Sequence, residues 1–358
     1  MTFPSLRLPP ALQRLQQQAL RQCSQCLRGL AGSLRPLVSA LPPLPPLPGG
    51  VSLWVSLLSF GFVLAALVGN GRRMLQLSLD PQGWWWLVLA VGVSLLSLVV
   101  NALGLGVVLR WLRLRPRWPA LVSLYLDTNL RKYLPGGIWH LAGRVAPLRA
   151  AEGPLLTPAP LTLALVAVVF DPLVAAVAAL ALVPLGGMQG GLGPLCLLPL
   201  LLLWPRWLAP LLERLERRQA RRLRLEPEAL ESLNRSLGEA LAGYPWPPLL
   251  VQLLFVLLRF GGFVCCVLAF DLHASLPWTS WLAGFALAWA VGLLVPGAPG
   301  GLGVFEATLL LRLGGAVPEA PLLAIALSYR VVVTLADLAA AGCTRLDGWI
   351  DRRLAQAG

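Results

Sequence analysis

The feature that most constrains this chain is a series of long segments without any charged residue. Residues 84–109 and residues 51–69 are two such segments. A bilayer core is crossed by about 20 apolar residues in an α-helix, so both segments are long enough to span a membrane. Only 13% of all residues are charged, which is about half the share in a soluble protein. We therefore predict an all-α polytopic membrane protein.

Seven mostly apolar segments predict transmembrane spans. They are residues 51–69, 84–109, 161–183, 192–204, 247–270, 277–295 and 320–343. Seven crossings would place the two chain ends on opposite sides of the membrane, whereas Arg345, Arg352 and Arg353 favour the cytoplasmic side for the C-terminus too. An eighth crossing by one further, broken segment would remove this conflict. We therefore expect about seven or eight transmembrane helices.

The net charge of +13 collects in the segments between these spans. Five arginines precede the first span, four lie within residues 110–117, and seven lie within residues 209–246. Segments rich in arginine remain in the cytoplasm, so the N-terminus and both of these connecting segments are expected there. Because membrane orientation explains most of the basic residues, the charge does not predict a nucleic-acid partner.

The predicted organisation is a membrane region with a short extension at each end. Residues 1–50 form a cytoplasmic basic arm, either an amphipathic surface helix or a weakly ordered segment, which ends in a proline-rich spacer. Residues 51–345 form the transmembrane domain, and within it residues 209–246 form a cytoplasmic amphipathic loop. Residues 346–358 form a C-terminal tail.

Two segments, residues 124–148 and 295–313, combine helical spacing with a proline followed by two glycines. Proline removes a backbone donor and glycine permits unusual torsions, so each helix must break. Broken backbone is tolerated at membrane depth only where protein or a water-filled cavity surrounds it. Paired interruptions in the two halves of a transporter mark its substrate site. The pattern thus predicts two re-entrant segments and a two-half pseudo-repeat, and the alternative is a pair of interfacial loops.

Cationic and hydrogen-bonding residues accompany the first break. Four-residue steps connect Thr128, Lys132, Gly136, His140 and Arg144, with Asn129 alongside. On a continuous helix, such steps would place these side chains on one face around the break.

The second half contributes ionisable residues of both signs. Glu306 follows the glycine run, and Arg330 lies after Tyr329 inside a predicted span. An ionisable residue in the bilayer costs about 2.5–3.5 kcal/mol on insertion scales and needs a partner. We therefore predict a Glu306–Arg330 pair. The alternative interpretation is an ion pair that only fixes helix packing.

The sequence lacks the familiar catalytic and cofactor motifs. The run from Gly300 to Gly303 has neither the Lys-Ser/Thr ending nor the preceding strand of a phosphate-binding loop. Cys23 and Cys26 lack the second pair of ligands that a structural zinc requires. We therefore predict no cofactor, no metal and no catalytic site of the kinds found in soluble enzymes.

Three groups of residues occur together in this chain: Asn129 to Gly137 with Arg144 downstream, Pro299 to Glu306, and Ser328 to Arg330. Over residues 51–345 they resemble the lysylphosphatidylglycerol synthase transmembrane-region family of flippase-like bacterial integral membrane proteins. The resemblance implies a multi-pass protein of the bacterial plasma (inner) membrane that moves aminoacylated or otherwise modified phospholipids between leaflets.

The resemblance also implies two differences from other members. Full-length synthases add a soluble aminoacyltransferase domain, which we do not expect here because the sequence ends at Gly358. Relatives often place a basic residue just before the glutamate, whereas this chain has Phe305. This difference removes one contact to a headgroup.

The residues and the resemblance together predict a lipid transporter or flippase. In this hypothesis Lys132, His140 and Arg144 contact phosphate, while Glu306 and Arg330 form a gate or a cation contact. The predicted substrate path comprises Asn129, Lys132, Pro135, Gly136, Gly137, His140, Arg144, Pro299, Gly300, Gly301, Gly303, Glu306, Tyr329 and Arg330. The expected partners are membrane lipids with anionic or aminoacylated headgroups, together with a second copy of the chain or a lipid-modifying enzyme. Close approach of a second copy would use the helix glycines Gly92, Gly104 and Gly106.

Two other functional classes stay open from the sequence alone. A membrane-embedded glycosyltransferase, or another enzyme with a lipid-linked substrate, would need a carboxylate, and Asp127, Asp171 and Glu306 are available. A lipid-binding scaffold would use its buried charges only as packing pairs. In every case the informative cations are the four in or near apolar segments: Lys132, Arg144, Arg259 and Arg330.

Overall fold

A computed structural model describes residues 80–133, 139–187, 192–204, 243–295 and 298–357. Within these ranges the chain forms nine α-helices: α1 (Pro81–Trp111), α2 (Trp118–Asn129), α3 (Trp139–Arg149), α4 (Leu161–Leu182), α5 (Leu192–Leu202), α6 (Trp246–Ala269), α7 (Trp278–Leu294), α8 (Val304–Leu313) and α9 (Glu319–Ala357). Short 3-10 turns are Leu130–Tyr133, Val183–Gly186 and Pro299–Gly301. The predicted arm 1–50, the span 51–69, most of the loop 209–246, and Pro135, Gly136 and Gly137 lie outside the described residues.

Four of these helices are long and apolar enough to cross a membrane: α1, α4, α6, and the Glu319–Asp347 part of α9. Helices α5 and α7 are apolar but shorter. Together these six helices coincide with six of the predicted spans, which confirms an all-α polytopic membrane protein. Helix α9 continues to Ala357, so the described part of the predicted C-terminal tail, residues 346–357, is helical.

Local signals explain where several helices begin. Asp80 caps α1 by accepting a hydrogen bond from the backbone N–H of Gly83 at 2.6 Å, and Pro81 occupies the first turn. Prolines also stand in the first turns of α2 and α6. At the first helical positions a proline loses no hydrogen bond and its fixed φ favours the helix.

Helices α1 and α6 form the most extensive helix pair. Glycines permit this close approach, because a Cβ at Gly104 would lie 2.9 Å from Gln252 Nε2 and one at Gly262 would lie 2.7 Å from Ser94 Oγ. Gly106 is similarly covered by the Trp118 ring. Gly104 and Gly106 therefore serve packing within this chain, although the sequence had suggested them for contact with a second copy.

Each broken segment turns back on itself. In the first, Arg144 Nε donates to Thr128 Oγ1 at 3.1 Å, although 16 residues of continuous helix would separate these positions by about 24 Å. In the second, α8 packs on α7, and the rings of Phe285 and Phe305 lie 5.9 Å apart. Both segments are therefore helical hairpins. The four-residue steps from Thr128 to Arg144 consequently do not form one continuous helical face, because α2 ends at Asn129.

Helix α9 lies against both hairpins. It contacts α2 and the Leu130–Tyr133 turn of the first hairpin and α8 of the second. Buried aromatic rings, including Phe263, Phe305 and Tyr329, pack between α6, α7, α8 and α9. This packing places the middle of α9 where it can reach both breaks.

Candidate functional site

The two breaks and the middle parts of α4, α6 and α9 surround a cavity of about 320 Å³. The residues of the predicted path that line it are Asn129, Lys132, His140, Arg144, Gly300, Gly301, Tyr329 and Arg330. Gly303 and Glu306 lie behind this wall, where Glu306 accepts hydrogen bonds from the Gly303 N–H and from Arg330. The two hairpins therefore meet around a cavity with charged and polar side chains in its wall, which is the arrangement expected if both contribute to one site.

Arg330 holds the second break in place. Its Nε donates to Glu306 Oε1 at 2.7 Å, which forms the predicted ion pair. Its Nη1 and Nη2 donate to the carbonyl oxygens of Gly300 and Gly301, both at 2.6 Å. The second carboxylate oxygen of Glu306 accepts the backbone N–H of Gly303 at 2.7 Å. Because both oxygens of Glu306 are occupied and the residue is buried, the pair acts first as a clamp on the turn.

Phe305 completes this clamp. Its ring is buried, and the Arg330 Cζ lies 4.9 Å from the ring centroid. A guanidinium over an aromatic face is attracted by the ring quadrupole. Phe305, which the sequence analysis interpreted as the loss of one headgroup contact, thus packs its ring against the Arg330 guanidinium.

Glycine is required in this turn for conformational reasons. Gly300, Gly301 and Gly303 all have positive φ, at 59°, 73° and 78°. At Gly301 the backbone also approaches α7, since a Cβ there would lie 3.0 Å from the carbonyl oxygen of Gly292. An L-residue with a side chain would be strained in this conformation.

We expect Gly301→Ala to lower the free energy of unfolding by about 1–3 kcal/mol, the range for a residue held in an unfavourable backbone region. Gly315→Ala is the matched control, because no atom of the described chain lies within 4 Å of a Cβ there and its φ is not positive. Thermal or SDS-induced unfolding of the purified protein measures both changes. Equal losses for the two variants would contradict the assigned role of Gly301.

Asp337 holds the first break in place. One carboxylate oxygen accepts from Asn129 Nδ2 at 2.7 Å, and the other from Lys132 Nζ and the Tyr133 hydroxyl, both at 2.6 Å. Sequence reasoning placed Lys132 at the site but did not find this carboxylate partner. The available signal was spacing, because Asp337 lies seven residues after Arg330 and therefore on the same face of α9.

A third polar group surrounds Asp171 in the middle of α4. Gln252 Nε2 donates to Asp171 Oδ1 at 2.6 Å and contacts Asn101 Oδ1 at 3.1 Å. Across the cavity wall, the Arg144 Cζ lies 3.6 Å from the centroid of the Tyr125 ring. Asn101, Tyr125 and Gln252 were not predicted as site residues, since uncharged polar side chains in apolar helices give a weak signal.

Several buried donors that face this region have no hydrogen-bond partner among the described residues. They are Arg144 Nη2 and the Nε and Nη1 atoms of Arg259, while His140 Nδ1 also lacks a partner there. Both arginines are buried, with 1% and 4% of their surfaces exposed. Unsatisfied buried polar atoms are uncommon and point to a missing ligand or water.

The charged residues lie at the depth of the membrane interior. Asp171, Arg259 and Arg330 each fall in the middle third of a helix that is long enough to span the bilayer. Four cations, Lys132, Arg144, Arg259 and Arg330, line the cavity, whereas the carboxylates in its wall or directly behind it are Asp171, Glu306 and Asp337. Within the described part of the chain the formal charges of these groups therefore sum to +1.

The other carboxylate considered from the sequence, Asp127, lies elsewhere. It pairs with Arg345 at 3.4 Å, and both side chains are exposed. Over the described ranges, no group of three or more His, Cys, Asp or Glu side chains is arranged to hold a metal ion.

The comparisons with known proteins agree with this architecture. The sequence model of the family described as lysylphosphatidylglycerol synthase TM region matches residues 49–341. The search of curated proteins gives no match. Since the matched region includes both hairpins and most of α9, the chain belongs to the lysylphosphatidylglycerol synthase transmembrane-region family.

Proposed function

We propose that this protein is a flippase that moves phospholipids between the leaflets of a bacterial plasma membrane. The N-terminus lies in the cytoplasm, and the headgroup passes through the cavity between the two hairpins. The observation that carries the proposal is that both breaks and three spanning helices line one cavity, whose wall carries four cationic side chains near the middle of those helices.

The distribution of polar and apolar surface supports this route. A flippase must give the charged headgroup a polar path while the acyl chains remain in lipid. Helices α6 and α9 present polar residues to the cavity, whereas Leu254, Leu257, Val331 and Leu335 are exposed on the same two helices. Such apolar outer surfaces suit contact with acyl chains.

The polar residues divide into two roles. Glu306 and Arg330 hold the second turn, and Asp337 holds the first, so these residues shape the cavity. The arginines with unpartnered donors, Arg144 and Arg259, are available to a headgroup phosphate.

The route is tested by narrowing the cavity without changing its charge. Val333 lines the cavity and is buried, whereas Leu335 on the same helix is 49% exposed. In proteoliposomes with acyl-labelled phosphatidylglycerol and a membrane-impermeant quencher, we expect Val333→Trp to slow protein-dependent translocation by about 10-fold or more, equivalent to a barrier increase of about 1.4 kcal/mol. Leu335→Trp, the matched control, leaves the rate near that of the wild type.

Melting curves in detergent exclude a simple folding defect, and Ala175→Leu on the facing helix α4 provides a second cavity-lining variant. Equal rates for Val333→Trp, Ala175→Leu and the control would overturn the proposed route. An absence of any translocation by the wild type would overturn the proposed function.

The alternative is an enzyme that acts on a lipid-linked substrate, favoured by the carboxylate of Asp171 in the cavity wall. The same vesicles separate the two activities, since they contain labelled lipid but no donor such as a lipid-linked sugar. Translocation without a donor supports transport. Chemical conversion of the lipid only after a donor is added supports the enzyme.

A further inference from the structure

Arg259 is a cavity cation that forms no ion pair with a carboxylate among the described residues. Lys132 is paired with Asp337, and Arg330 with Glu306. The guanidinium of Arg259 is buried near the middle of α6, and neither its Nε nor its Nη1 has a hydrogen-bond partner in the described ranges. An uncompensated charge in a protein interior is strongly unfavourable, so a ligand of opposite charge is the expected complement.

Arg144 supplies a second unsatisfied donor to the same cavity. Its Nε is bonded to Thr128, but its Nη2 is buried without a partner among described residues. Asp171 interacts electrostatically with Arg144, which partly offsets that charge. Arg144 therefore contributes mainly a hydrogen-bond donor, while Arg259 contributes a charge that has no carboxylate at ion-pair distance among the described residues.

Aromatic rings orient both guanidinium groups. The Cζ atoms of Arg144 and Arg259 lie 3.6 Å and 5.5 Å from the ring centroids of Tyr125 and Phe255. An aromatic ring attracts a nearby guanidinium through its quadrupole without using the N–H groups as conventional hydrogen-bond donors. Those groups match two oxygens of one phosphate, a geometry that a lysine cannot reproduce.

The charge balance limits the headgroup that fits. With each group in its usual charged form, the four cations and three carboxylates of the site leave one excess positive formal charge, which one negative charge neutralises. A phosphate diester carries one negative charge, whereas a phosphate monoester carries about −1.5 to −2 near pH 7. A monoanionic diester is therefore the complementary ligand.

The site offers little for a headgroup ammonium. Both oxygens of Glu306 and both oxygens of Asp337 accept hydrogen bonds from the protein. Asp171 Oδ1 accepts from Gln252, and its charge faces Arg144. A lysine-bearing headgroup would therefore bring extra positive charge into a site that is already cationic.

We propose that Arg259, assisted by Arg144, binds the phosphate of a phospholipid headgroup with a net charge of −1, and that the site disfavours zwitterionic and lysine-bearing headgroups. The proposal rests on the proposed function, because it names the substrate class that would use the cavity. It assigns phosphate binding to Arg259, whereas Lys132 and Arg330 mainly hold the two turns.

A lipid-dependent stability assay tests the site independently of transport. Purified wild-type protein and Arg259→Gln are melted in a neutral detergent, alone and with phosphatidylglycerol, phosphatidylcholine or lysylphosphatidylglycerol. Without lipid, we expect Arg259→Gln to melt at or above the wild-type temperature, because the change removes an uncompensated buried charge. Phosphatidylglycerol raises the wild-type melting temperature by about 2–4 °C, while the variant shows no such shift and the other two lipids have smaller effects.

Arg110→Gln is the matched control, since Arg110 lies exposed at the end of α1. It removes the same charge from the protein surface and retains the phosphatidylglycerol shift. A large loss of stability in lipid-free Arg259→Gln would overturn the proposal by revealing a structural role. Equal phosphatidylglycerol shifts in the wild type and Arg259→Gln would overturn it as well.

Translocation in proteoliposomes gives the second readout. We expect Arg259→Gln to slow the translocation of phosphatidylglycerol by about 10-fold. This change corresponds to about 1.4 kcal/mol, close to the contribution of one hydrogen bond to a charged group. The wild-type preference for phosphatidylglycerol over phosphatidylcholine and lysylphosphatidylglycerol is lost in the variant, and Arg259→Lys restores only part of it. An unchanged rate and preference in Arg259→Gln overturns this proposal while leaving the flippase intact. If the wild-type protein moves no lipid but still shows the Arg259-dependent rise in melting temperature, the binding site is supported and the proposed flippase function is overturned.

Discussion

Replacing Glu306 with alanine is expected to lower the free energy of unfolding by about 3–5 kcal/mol, the usual effect of breaking a buried ion pair by removing one partner. The substitution removes the acceptor for Arg330 Nε and also the acceptor for the Gly303 N–H. Arg330 would retain its two carbonyl partners, but its charge would be uncompensated. Unfolding of the purified protein by heat or SDS measures the loss.

The exposed pair of Asp127 and Arg345 supplies the matched control for this prediction. Its nitrogen and oxygen are 3.4 Å apart, and its side chains are 40% and 71% exposed. Because solvent screens such a pair, Asp127→Asn is expected to change the stability by less than about 1 kcal/mol. A Glu306→Ala variant as stable as Asp127→Asn would show that the clamp does not hold the turn.

Asp337→Asn is expected to give the second large loss, about 2–4 kcal/mol. An asparagine side chain has one oxygen acceptor, so it cannot accept from Asn129, Lys132 and Tyr133 as the carboxylate does. The loss is smaller than for Glu306→Ala because asparagine keeps one oxygen acceptor at this position, whereas alanine removes both acceptors.

This second change also has a functional consequence. It frees the Lys132 ammonium within the cavity and raises the positive charge there by one. Phosphatidylglycerol is therefore expected to protect Asp337→Asn against thermal unfolding more than it protects the wild type. Asp347→Asn, at an exposed position of the same helix, is the control, and equal lipid protection in the two variants would contradict the role of Asp337 in neutralising Lys132.

Much of the architecture follows from sequence, because charge-free length is a strong physical requirement. The predicted spans correspond to helices wherever the structure describes them. The break at Pro299 to Gly303 was also predictable, since proline and successive glycines interrupt a helix. The fold-back of each broken segment was less accessible, because contacts such as Phe285 with Phe305 depend on helix packing and not on local spacing.

The charged residues of the site were largely predictable from the sequence, but their ion-pair partners were less so. Glu306 with Arg330 was found because each is isolated in an apolar segment and needs a partner. Lys132 was found without Asp337, since their separation along the chain gives no local pattern. Arg259 was visible as a charge in a span, but its lack of a carboxylate depends on where every surrounding acid lies.

Helix α9 has a mechanical consequence for any motion of the cavity. Arg330 and Asp337 are separated by two turns, so they stand about 10 Å apart along the axis and almost in line. Arg330 donates hydrogen bonds to the backbone of the second hairpin, and Asp337 accepts one from Asn129 at the end of α2. While these bonds persist, a rotation of α9 would move Arg330 and Asp337 together, so both hairpins would be displaced together. α9 thereby couples the two walls of the cavity mechanically.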